Sequence, residues 1–224
     1  SIAVGGVTDR RPFATPDRHR PRQWQHGVMV ELKVLQAVRL KGELNPADLT
    51  ATVDEDPATV ARTIAELPEA GLLLDVGRNL KLSPDGRSRL ELLLEKERSG
   101  IDRASMATAY EEFLSANAEF KIVVSDWTLK QGEPNTHEDS RYDAALLTRL
   151  DQVHARVLTV ISTAEKQIPR LRGYADKLAA ALRKISAGDT VWMTQPVVDS
   201  YHTVWFELHE ELLQAAGVSP RGQG

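Results

Sequence analysis

Apolar residues recur along this chain at two periods, and the changes between them mark out its parts. Over residues 28–41 they fall at helical spacing (Val28, Leu32, Leu35, Val38), and the pattern stops at Gly42, a residue that ends helices. Asn45-Pro46 opens a second helix through Leu49 to Val53. Asp56-Pro57 opens a third, which buries Val60, Ile64 and Leu67 and ends near Gly71. Two strand-like runs, residues 72–76 and 80–83, flank a tight Gly77-Arg78-Asn79 turn. Ser83 as N-cap and Pro84 at the first helical position then start a return helix.

From Ile101 onward the pattern is helical throughout. Met106, Tyr110, Phe113, Asn117, Phe120 and Val124 share one face, and Trp127 continues it. A polar loop at residues 131–141 contains Gly132 and Pro134, with Asp139 and Ser140 placed to cap the next helix. Residues 142–168 repeat Leu146, Leu150, Val153, Val157 and Ile161 until Pro169 and Gly173. An Ala- and Leu-rich helix over residues 174–185 ends at Gly188. A last helix over residues 196–216 is closed by Gly217. The fold class read from this is mainly α: three helices plus a two-stranded wing, followed by a C-terminal helical bundle. The divisions are a basic arm or linker at 1–27, a first domain at 28–100, a bundle at 101–217 and a tail at 218–224.

Composition narrows the picture. The chain has 224 residues and no cysteine, which removes disulfides, thiolate zinc sites and cysteine nucleophiles and fits a cytoplasmic protein. No apolar run has the length of a membrane span. The chain opens on Ser rather than Met, which fits a piece of something longer. Net charge is −4, unevenly spread. Residues 1–27 carry five Arg against two Asp, whereas 28–98 carry ten basic against thirteen acidic residues. A nucleic-acid reader usually shows a basic face, and the folded part of this chain does not on average.

The stretches LNPADLTATVDEDPATVARTIAELPEAGLL and LKLSPDGRSRLELLLEKE resemble the winged-helix core of MarR-like regulators, over about residues 28–98. The L-S-P-D-G-R-x-R-L junction at residues 82–90 is the most specific part. The resemblance implies a third helix that reads the DNA major groove through Thr59, Arg62 and Thr63. Arg78 and Lys81 in the wing would lie against the minor groove or backbone. It also implies a homodimer. Asp54, Glu55 and Asp56 at the start of that helix, with Glu66 and Glu69 after, suit the helix dipole but repel phosphates. The segment GDTVWMTQPVVDSYHTVWFELHEELL is similar to a helical segment of actinobacterial multidomain proteins, pyruvate phosphate dikinase-like ones among them.

The bundle region offers other chemistry. Asp151/His154 and Asp199/His202 repeat an Asp-x-x-His spacing that lets each carboxylate orient or co-ligate with its imidazole. His154 falls on an apolar stripe, and His202, Phe206, His209 and Leu213 share one side of the last helix. Three inward histidines with Asn117 would line a pocket for a small effector or a divalent metal, walled by Tyr201, Trp205, Phe206 and Trp192. The commoner arrangement for such residues is a core histidine hydrogen-bonded to its neighbours, and it weighs against the metal. Arg170, Arg172, Arg183 and Lys184 could attract an anion, but charge on a bundle surface is usually just solvated. No phosphate loop, nucleophile elbow or zinc-protease helix is present, so no enzyme activity and no cofactor are expected.

These readings leave two functions and a third. The first is a transcription regulator whose winged helix binds DNA as a dimer and whose bundle dimerises or senses a small effector. The second is an interaction module whose winged helix contacts protein, associated with a larger enzyme. The third, a metal-dependent helical enzyme, requires His154, His202 and His209 to converge.

Overall fold

The computed structural model describes residues 22–195 and 199–218, and within them the chain is mainly helical. Helix α1 (Arg22–Lys41) starts earlier than the apolar pattern, so part of the expected arm is helical; residues 1–21 and the tail from 219 lie outside the described residues. Strand β1 (Glu43–Leu44) follows, then α2 (Pro46–Thr52), α3 (Pro57–Glu69), β2 (Leu73–Val76), β3 (Asn79–Leu82) and α4 (Pro84–Arg98). The expected caps are in place. Asn45, Asp56 and Ser83 accept from the N–H groups of Asp48, Thr59 and Gly86, each with proline next in the chain.

The sheet has three strands, not two. β3 lies in the middle and pairs antiparallel with β2, Leu73 opposite Leu82 and Val76 opposite Asn79, and also with β1, Glu43 opposite Lys81. The hairpin loop is the two residues Gly77-Arg78, with φ of 72° at Gly77, a value that suits glycine at the first loop position of a two-residue hairpin. A two-residue strand bounded by Gly42 is too short for an alternating pattern, which is why β1 gave no signal in the sequence.

The Ser-Pro-Asp-Gly junction has a packing reason. Ser83 Oγ donates to the Gly71 carbonyl at 2.6 Å while accepting from the Gly86 N–H at 2.8 Å, tying the start of α4 to the end of α3. A Cβ on Gly86 would drive into the Leu72 carbonyl oxygen and lie 2.9 Å from its carbonyl carbon. Only glycine lets α4 pass this close to the strand entry.

The second half holds α5 (Arg103–Thr128), a hairpin of β4 (Leu129–Lys130) and β5 (Glu133–Pro134), α6 (Ser140–Ala164), α7 (Gly173–Ser186) and α8 (Tyr201–Ala216). Short 3-10 turns at Pro169–Arg172 and Thr190–Met193 flank α7. Asp102, Asp139 and Ser200 cap α5, α6 and α8. The last helix therefore begins after Ser200 rather than at 196, and residues 196–198 lie outside the described residues. Gly217 closes it at φ 72°. Two apolar cores form, one from α1–α4 and the sheet around Leu35, Leu49, Val60 and Leu90, the other from α5–α8 around Phe113, Phe120, Leu150 and Leu208.

Candidate functional site

Three places bear on function: the α3–hairpin face, the histidines of α6 and α8, and a charged seam between the two cores.

On the first, Arg62, Arg78 and Lys81 are exposed as a reading face requires. Thr59 and Thr63 are turned partly inward. The Thr59 hydroxyl and N–H both donate to Asp56, and the Thr63 hydroxyl donates to the Thr59 carbonyl. The outer surface of α3 is otherwise Ala58, Ala61, Ala65, Glu66 and Glu69. Lys81 sits 3.5 Å from Glu43 across the strand pair. Hydrogen bonds from Thr59 hold the Asp56 carboxyl below the usual carboxylate range. Asp75 is exposed on the hairpin, and beside it Leu74 and Val76 are 46% and 40% exposed. The exposed charges here are thus Arg62, Arg78 and Lys81 against Glu43, Asp56, Glu66 and Glu69, with Asp75 on the other side of the hairpin from Lys81, Leu74 and Val76.

The other two residues of the acidic triplet have separate duties. Glu55 takes an ion pair from Lys33 at 2.7 Å, and the same ammonium donates to the Asp54 carbonyl. The Asp54 carboxylate lies against Gly173 at the N-terminus of α7, a helix without a side-chain cap of its own. An anion there complements the helix dipole.

The histidines do not converge. On α8 the buried stripe is Tyr201, Val204, Trp205, Leu208 and Leu212, whose bulk outweighs the His202/Phe206/His209 side expected to face inward. Phe206 is 52% exposed and His202 is exposed. His154 Nδ1 pairs with the Tyr201 hydroxyl at 3.1 Å, and His209 Nε2 with the Tyr110 hydroxyl at 3.1 Å while stacking on Phe113. Burial lowers the pKa of His154 and His209. Asn117 is no pocket residue either, because its Oδ1 accepts from the buried Trp205 Nε1 at 2.9 Å. No group of three or more His, Asp or Glu able to hold a metal occurs among the described residues.

Asp199 turns away from its expected partner His202 and into the seam. There it takes Lys41 at 2.7 Å and Lys177 at 3.4 Å, and accepts from the Thr52 hydroxyl. Lys41 also pairs with Glu207. Burial pulls the Lys41 pKa down, but Glu207 and Asp199 outweigh it and hold it above its ordinary value. Asp199 is pushed up by burial and down by Lys177 and Lys41, which win. Deeper in, Arg170, expected as solvated charge, is nearly sealed off. It forks onto Glu97 at 2.8 and 2.9 Å and onto Glu211 at 2.6 and 2.8 Å. Gln36 Nε2 donates to Glu211 at 2.8 Å. The Glu211 pKa rises with burial and falls further through Arg170, ending low. The sequence signal for this seam was Gln36 among Leu35 and Val38, and Glu207 and Glu211 four apart on α8. An open cleft of about 600 Å³ between α2 and α7 runs beside it, where Lys184 lies 3.1 Å over the Trp192 ring.

Comparison of the chain with protein-family models, curated proteins and solved structures finds no match. No helix of the described residues is long and apolar enough to cross a membrane.

Proposed function

We propose that residues 28–98 are a winged helix, that residues 101–217 are a helical bundle fixed against it, and that the chain is a protein-interaction module. One observation carries this reading: the α3–hairpin face, where a winged helix would read DNA, holds more carboxylates than cations and exposes Leu74 and Val76. Affinity for duplex DNA comes mostly from cations neutralising phosphates, and an acidic face forfeits that contribution. Small side chains on α3 (Ala58, Ala61, Ala65) and two exposed apolar residues on the hairpin instead suit a protein segment with an apolar ridge flanked by Lys or Arg. The charged seam supports a fixed platform, since its ion pairs and hydrogen bonds tie α1, α2 and α4 to α7, α8 and the turn before α7. In this reading the chain catalyses nothing by itself.

The regulator reading, a dimeric DNA binder answering to a small effector, keeps one favourable observation. Arg62 and Arg78 are exposed with no ion pair among the described residues. A nuclear magnetic resonance titration with an amphipathic Lys/Leu helical peptide separates the two. The interaction reading expects shifts at Ala58, Ala61, Ala65, Leu74 and Val76, weakened by salt and by E66Q/E69Q. A peptide that leaves this face unmoved, with a duplex that perturbs Arg62 and Arg78, would overturn it.

A further inference from the structure

Around Glu211 the charges do not balance. Arg170 pairs with Glu97 and Glu211, and Arg98 adds a second guanidinium 3.8 Å from Glu211. A third, Arg39, joins through Gln36, whose Oε1 accepts from Arg39 Nε at 2.9 Å while its Nε2 donates to Glu211. Guanidinium is always protonated in proteins, so three positive charges stand against two carboxylates. Two N–H groups of this cluster, Arg39 Nη2 and Arg98 Nε, are buried and meet no protein acceptor. Buried donors almost always have a partner. Water would satisfy the N–H groups and leave the surplus charge; an anion answers both. We infer that this cluster binds a small monovalent inorganic anion, chloride being the simplest, on the unpartnered Arg39 Nη2 and Arg98 Nε groups, Arg98 Nη2 being taken by Gln214 Oε1 at 3.1 Å. The positive field of Arg170 and Arg39 on Arg98, which helps lower the Arg98 pKa after burial itself, has the sign such an ion would relieve. Arg39 and Arg98 come from α1 and α4 and the cluster's Glu211 from α8, so the bound ion would reinforce the seam between the two cores.

The test is thermal unfolding of the whole chain at constant ionic strength as sodium gluconate, too large for the site, is replaced by sodium chloride. Tm is expected to rise saturably, by roughly 3–5 °C at tenfold excess over Kd. The increment should vanish in R39Q, or in R98Q if R39Q does not fold, because either removes an unpartnered donor and the surplus charge. Broadening of the chloride-35 resonance by wild type, saturable and lost in the variant, reads the same site without unfolding. Equal Tm in the two salts, or an increment that survives the substitution, would overturn the assignment and leave the two donors to water.

Discussion

Of the run Asp54-Glu55-Asp56, the first faces the start of α7, the second takes Lys33 and the third caps α3. Glu211 is tied to Arg170, and removing one partner of such a buried pair strands the other charge. Arg170→Met should therefore cost about 3–5 kcal/mol in urea unfolding, because Glu97 loses its buried ion pair and Glu211 keeps only Gln36 and the more distant Arg98. A loss under 1 kcal/mol would mean that water reaches the seam. The histidines give a pH dependence of known sign. Burial holds His154 and His209 below their ordinary 6.5, so the unfolded chain takes up protons at a higher pH than the native one. Their contribution is complete above about pH 6.5 and is lost as pH falls through the lowered values. Stability followed by urea unfolding between pH 7.5 and 5 should fall more steeply in wild type than in H154Q/H209Q, and equal slopes would contradict this.

Elements were legible where a cap or a period marked them. Asn45-Pro46, Asp56-Pro57 and Ser83-Pro84 announce α2, α3 and α4 because each supplies a side-chain acceptor followed by a residue preset for the first turn. The α8 stripe was misread by one position, since Tyr201 and Trp205 compete with His202 and Phe206 for the core, and periodicity cannot rank two adjacent faces that both hold aromatics. Strand β1 was too short to show. The seam was hidden for another reason: each of its charges reads as surface until its partner, as distant as Gln36 from Glu211, is brought to it. Gly86 states the same point as a prediction. Helix propensity alone would have Gly86→Ala stabilise α4 by about 1 kcal/mol. The overlap with Leu72 should reverse the sign and destabilise by about 1–3 kcal/mol, read by denaturant midpoint.

For the whole molecule the question is what the α3–hairpin face meets. The chain carries −4 overall, the face itself is acidic, and the seam sets it at a fixed place on the second core. Small side chains on α3, two exposed apolar residues on the hairpin and surplus carboxylates suit a basic, apolar protein segment. The most direct measurement is duplex-DNA binding across a salt series, comparing wild type with an E66K/E69K/D75K variant that leaves the Asp56 cap intact. The account predicts no salt-dependent binding by wild type at micromolar concentration. It also predicts that the variant gains binding that weakens steeply with salt, because only the sign of the face then stands between this scaffold and phosphate. Tight, salt-sensitive binding by wild type, lost in R62A/R78A, would contradict it and make the chain a DNA reader.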